Sequence, residues 1–224
     1  MGEYYNWVNV DRKEFICPAD FDYGNKSHES CHRDGEVLRA LRDLLSKEWK
    51  GCRIFWMGDE CSLPDNIAND LFATIKVHCD EIGYSGDMFD TVCESYTNVS
   101  GLYKAAEKDV REEIGFFLAE IARGNTNEIN EYGVDPQNPF EGLFQRDGIS
   151  SKYIINYTKK ICYSFDTTKI LYQDGEECDY ADPLPILLGY GRVMNPGEWL
   201  GDIVGVSDEL QDGLTVLESI TLDW

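Results

Sequence analysis

Tyr4-Tyr5-Asn6-Trp7-Val8-Asn9-Val10-Asp11-Arg12-Lys13-Glu14-Phe15-Ile16-Cys17-Pro18 stands near the start of the chain, and the fold is read outward from it. Aromatic and β-branched residues crowd Tyr4 to Val10, Asp11-Arg12-Lys13 supplies a polar turn, and Glu14 to Cys17 returns as a second strand. Pro18 ends the pairing because it has no N–H to give to a ladder. The stretch therefore predicts a β-hairpin. Tyr153 to Tyr157, the turn Thr158-Lys159-Lys160 and Ile161 to Phe165 predict another. Val8-Asn9-Val10-Asp11-Arg12-Lys13 is matched by Ile155-Asn156-Tyr157-Thr158-Lys159-Lys160, but hairpins with polar basic turns are common, and so short a match does not establish a duplication.

Three amphipathic helices are expected between the hairpins. Val37, Leu38, Leu41, Leu44, Leu45 and Trp49 form one apolar stripe, with Asp34 as candidate N-cap and Gly51 beyond the end. A second helix opens at Ser62 with Asp65 in capping-box position and runs through Ile67, Leu71, Ile75, Cys79 and Ile82 to Gly83. In the third, Leu102, Ala106, Val110, Ile114, Phe117, Leu118 and Ile121 share a face, capped by Ser100 and stopped by Gly124. Arg53 to Met57 reads as a strand buried on both faces. Thr168 to Tyr172, Asp202 to Val206 and Thr215 to Leu222 supply further strands. Together these predict an α+β fold: a mixed or antiparallel sheet, built from the N- and C-terminal hairpins and strands, packed against about three helices. One domain over residues 1–224 is expected, with the loop-rich stretch 125–151 as its weakest point of division.

Charge narrows the function. The net charge is −22, and from Asp166 onward thirteen carboxylates face two cations, Lys169 and Arg192. Such a field repels nucleic acid and anionic lipid and steers cationic partners inward. With 42% hydrophobic and 12% aromatic residues the region should be a folded surface and not a disordered tail. Asp174, Glu176, Glu177, Asp179 and Asp182, followed by Asp208, Glu209 and Asp212, are the candidate binding residues for a basic protein partner. Acidity that serves solubility alone is the competing explanation.

Signals for chemistry are weak. Asp59 and Glu60 follow the buried strand, where an α/β protein tends to hold a ligand, and could serve as an acid–base pair or bind a divalent ion. A polar loop entering a helix explains them equally well. Cys17, His28, Cys31 and His32 lack the paired spacing of zinc ligands, so no metal site and no cofactor is expected, and they read as solvated loop residues. Gly189-Tyr190-Gly191 lacks the third glycine and lysine of a phosphate loop and reads as a turn. The eight cysteines, in a chain with no secretory start and no run of ~20 apolar residues, read as reduced thiols of a cytoplasmic protein.

Two segments carry a resemblance. Tyr4 to Phe15, and Gly189-Tyr190-Gly191-Arg192 through Asn195-Pro196-Gly197-Glu198-Trp199-Leu200, resemble a family of uncharacterised bacterial cytosolic proteins, which brings no activity or catalytic residue with it. In its small, acidic character the chain is also similar to immunity proteins of polymorphic toxin systems. An inhibitor, a small enzyme using Asp59 and Glu60, and an adaptor are thus the three functions in play.

Overall fold

Both expected hairpins form. Tyr5–Asn9 (β1) pairs antiparallel with Glu14–Ile16 (β2), and Tyr153–Asn156 (β5) with Ile161–Tyr163 (β6). The structure is a computed structural model describing residues 3–24, 26, 29, 31–62, 70–83, 88–125, 131–192 and 194–222. The remaining strands are Ile54–Gly58 (β3), Thr97–Asn98 (β4), Lys169–Leu171 (β7), Gly189–Tyr190 (β8), Val204–Ser207 (β9), Thr215–Val216 (β10) and Ser219–Thr221 (β11). They form one sheet ordered β4-β2-β1-β3-β8, one ordered β10-β6-β5-β9, and a two-stranded β11-β7 pair. With five helices among the described residues, Glu36–Ser46 (α1), Asp70–Ile82 (α2), Met88–Ser95 (α3), Glu107–Ala122 (α4) and Leu184–Leu188 (α5), the fold is α+β.

The two larger sheets repeat one unit. β2-β1-β3 and β6-β5-β9 are antiparallel, and each return strand takes a parallel partner on its free edge, Glu14 against Thr97 and Ile161 against Thr215. The turns agree atom for atom. Asn9 Oδ1 accepts the Arg12 N–H at 3.1 Å and Asn156 Oδ1 the Lys159 N–H at 2.9 Å, while Lys13 and Lys160 both adopt left-handed backbone, φ 55° and 57°. The Arg53 N–H bonds the Asp11 carboxylate as the Ile203 N–H bonds the Thr158 hydroxyl. The six-residue match is therefore the visible part of an internal repeat. Arg53 and Ile203, equivalent in the two units, meet in an antiparallel bridge. α1 packs on β9 and α5 on β3, so each unit lays its helix on the other's third strand.

The first sheet is covered on both faces. Tyr5, Trp7, Ile16, Ile54 and Trp56 point into the main core with α1, and Val8, Val10, Phe15, Phe55 and Met57 meet Leu71, Phe72 and Ile75 of α2 and Met88 and Val92 of α3. This is why β3 reads as an unbroken apolar run. Each such side chain contributes about 1.5–3 kcal/mol by leaving water.

Several boundaries differ from expectation. Gly35, not Asp34, caps α1 and uses no side chain; a Cβ there would lie 3.0 Å from the His32 carbonyl oxygen. The start expected for the second helix at Asp65 and Ile67 lies outside the described residues. Ser100 does not cap α4: it is buried, its hydroxyl accepts the Cys17 N–H at 3.0 Å, and short 3-10 turns at Ser100–Leu102 and Lys104–Ala106 intervene. Helix α5 hides in sequence behind Pro183 and Pro185, which suit only a first turn.

Residues 131–145 bond to Asn98, Gly101, Leu102 and Glu113, and residues 146–150 continue onto α1 and Glu48 just beyond it. Arg146 pairs with Glu48, the Ile149 N–H bonds Arg39 O at 3.0 Å, and the place of a Cβ on Gly148 is 2.7 Å from the Arg39 backbone carbon. Gly148→Ala should therefore destabilise the protein by about 1–3 kcal/mol. Chemical denaturation checks this, and an unchanged midpoint would mean that the contact is loose.

Candidate functional site

Asp174, Glu176 and Glu177 sit on the exposed turn that follows β7. The Asp174 carboxylate accepts the Glu176 N–H at 3.1 Å, and Glu177 pairs with Lys169 at 2.6 Å. Asp179 is exposed a little further on. Asp208, Glu209 and Asp212 occupy a second exposed turn between β9 and β10, which Gln211 ties to the Tyr157 hydroxyl. Among the described residues, Glu177 alone of these seven has an ion-pair partner.

Asp182 does not belong to that surface. It is fully buried, and its carboxylate accepts from Arg42 Nη2 at 2.7 Å, from the Tyr163 hydroxyl and from the Leu184 N–H at 2.9 Å. Arg42, itself buried on α1, also donates to the Arg33 carbonyl at 2.7 Å and lies over the Phe165 ring. The reason is topological: Asp182 opens α5 from inside the joint between the two repeats, where a side-chain acceptor satisfies the first helical N–H. Burial and the adjoining Asp182 carboxylate push the Tyr163 hydroxyl well above its ordinary range.

The loops that follow β2 and β6 meet over this pair. His32 and Ala181 form an antiparallel bridge, with the Arg33 N–H donating to Tyr180 O at 3.0 Å and the Asp182 N–H to Cys31 O at 2.7 Å. Cys31 is buried beneath the bridge and is not a solvated loop residue, because its carbonyl is held inside the joint; burial and Asp182 push its thiol up to about 12, so it is no nucleophile. Outside the bridge lies an open hollow of about 630 Å³, lined by Tyr23, His32, Arg33, Asp34, Asp179 and Tyr180. The His32 and Tyr180 rings lie 5.2 Å apart. Arg33 is turned to its own side, with its guanidinium 5.5 Å from the Phe165 ring centre and 3.6 Å from Asp34. His28 lies outside the described residues. Among the described residues no three His, Cys, Asp or Glu side chains gather as a metal site.

Asp59 and Glu60 do lie at the carboxyl end of β3, beside the parallel strand β8, with Gly189-Tyr190 forming that strand and not the expected turn. The space there is already filled. Glu3 enters it, taking the Arg192 N–H and the Tyr5 hydroxyl at 2.8 Å each, and a Cβ on Gly58 or Gly191 would fall within 2.3 Å of its carboxylate. Asp59 receives the Tyr4 N–H at 3.0 Å, and Glu60 pairs with Arg192. These carboxylates close the sheet end.

The hollow could not be found from sequence, because its two walls come from opposite halves of the chain. No family model, curated protein or solved structure matches this chain. Among the described residues no helix is long and apolar enough to cross a membrane.

Proposed function

We propose that this chain is an acidic binding protein, an immunity-type inhibitor that acts in the bacterial cytoplasm by occluding a cationic toxin or enzyme. The observation that carries the reading is the pair of exposed turns, Asp174–Glu177 and Asp208–Asp212, whose carboxylates are almost all left without cations of the chain's own. Structural acid residues are ordinarily paired or hydrogen-bonded; a row left open to solvent keeps its field for a partner. The resemblance in character to immunity proteins agrees with this, and Asp59, Glu60 and Glu3 are each engaged by the chain's own groups, which favours the binding reading over the enzyme.

The test is association with any basic protein encoded beside this chain's gene. Changing Asp174, Glu176, Glu177, Asp208, Glu209 and Asp212 to their amides should slow association several-fold at low salt and leave dissociation nearly unchanged. The difference should vanish as the Debye length falls to ~3 Å near 1 M salt. An equal association rate for the folded variant, or no binding by any basic neighbour, would remove the proposal.

A further inference from the structure

The exposed turns account for steering, but they offer no concave seat for a partner's side chain. The hollow between the two repeats does. Its walls combine aromatic faces with carboxylates: Tyr23 and Tyr180 on either loop, the His32 ring tilted at 35° against that of Tyr180, and Asp34 and Asp179. Tyr23 lies against the start of α1, its ring 3.4 Å from the place of a Cβ on Gly35. The Tyr180 hydroxyl lies 3.2 Å from that of Tyr172, and 43% of the residue stays exposed.

The electrostatics select the sign of the occupant. Arg33 is the cation of the lining, and it is engaged by Phe165 and Asp34. Asp179 is exposed, and among the described residues no cation pairs with it. Aromatic faces carry negative charge density and attract cations, guanidinium above all. With Arg33 and Asp34 offsetting one another, the Asp179 carboxylate beside these faces adds to that preference and opposes phosphate or sulfate. The size fits as well, since a hollow of about 630 Å³ lies within the range that holds small ligands and exceeds what one long side chain needs.

We infer that the hollow between Tyr23, Tyr180 and Asp179 is a seat for an arginine side chain of the basic partner. The inference rests on the inhibitor reading above and supplies its point of anchorage. Desolvated aromatic and arginine contacts of this kind dominate binding energy, whereas rim charges set the rate. The two surfaces therefore divide the work, with the turns steering and the hollow holding.

The experiment uses N-acetyl-arginine amide as probe, titrated into the isotopically labelled full chain and followed residue by residue by NMR. Saturable shifts in the millimolar range are expected at His32, Arg33, Asp179 and Tyr180, with none from the uncharged isostere N-acetyl-citrulline amide. Asp179→Asn and Tyr180→Leu should each weaken binding about threefold, and together about tenfold. Both positions are exposed, so folding is retained and is confirmed by the unchanged remainder of the spectrum. Equal response to citrulline, shifts confined to the 174–177 and 208–212 turns, or displacement of arginine by sulfate would each overturn the seat. If the hollow ignores arginine while the amide variant of the turns still associates slowly, the inhibitor reading survives and only its anchorage fails.

Discussion

Asp182→Ala should be the most damaging single change on the acidic half of the chain. It leaves Arg42 charged and buried with only the Arg33 carbonyl and the Phe165 ring for company, and it strips the Leu184 N–H and the Tyr163 hydroxyl of their acceptor. Removing one partner of a buried ion pair costs about 3–5 kcal/mol. Against a total stability of roughly 5–15 kcal/mol this is a large share, and it corresponds to a fall in Tm on the order of 10 °C. Removing both charges is a different experiment. Arg42→Met with Asp182→Leu should recover the part of the loss that comes from the unpaired charge, since the desolvation of the pair is then avoided, while the cost at the Leu184 N–H and the Tyr163 hydroxyl remains. Denaturant melts of the two variants give the comparison. A single variant within about 1 kcal/mol of the parent would show that the joint between the repeats does not depend on this pair. The contrast with Glu176 and Glu177, a few residues away and exposed, is itself informative, because their amides should leave the midpoint where it was.

The second large effect concerns pH. Asp20 is buried at the foot of the η-turn Pro18–Phe21, its carboxylate taking Asn98 Nδ2 at 2.9 Å and the Tyr132 hydroxyl at 3.1 Å. That same hydroxyl lies 2.7 Å from Glu113. A phenol has one proton and cannot donate to both carboxylates at once. Burial first, and Glu113 in addition, push Asp20 up to about 7 against the hydrogen bonds from Ser100, Asn98 and Tyr132 that pull it down. Below the unfolded value of 3.8 both states carry the proton; between 3.8 and about 7 only the folded chain keeps it. Stability from this residue is thus full at low pH, falls as pH rises through that window and is gone above it, a change on the order of 4 kcal/mol. Asp20→Asn should remove the slope. Its amide oxygen still accepts from Asn98 and its NH₂ donates to Tyr132, which donates onward to Glu113. The variant should be the more stable protein at pH 8 and gain nothing near pH 4. Asp11 and Glu48, which Arg53 and Arg146 hold below the usual carboxylate range, titrate alike in both proteins, so the difference between parent and variant isolates Asp20. A constant difference across pH 4–8 would contradict the assignment.

What was legible in sequence followed from local pattern. The hairpins, β3 and α1 each announce themselves through a run of side chains that must all be buried or all alternate. The repeat did not, because its signature lies in backbone register and turn hydrogen bonds that tolerate different side chains: Asp11 and Thr158 do the same task, as do Glu14 and Ile161 in their ladders. Helix α3, Met88–Ser95, was not expected from the sequence, and α5 was concealed by its prolines. At the candidate site, counting carboxylates could not separate Asp182 from Asp179, since composition is blind to burial. A signal was present nonetheless. Asp182 stands just before Pro183, the N-cap of an apolar helix, where its side chain can take the first helical N–H, and Arg42 interrupts the apolar stripe of Leu41, Leu44 and Leu45, where a cation needs a buried partner.

Hydrogen–deuterium exchange of the full chain, alone and with its basic partner, tests most directly the claim that the acidic turns and the hollow beside them form the contact surface. The account predicts slowed exchange at residues 174–181 and 208–213 and in the 31–35 loop, with α2, α3 and the closed end of β3 unchanged. Protection confined to α2 and α3, with both acidic turns exchanging as fast as in the free chain, would contradict it.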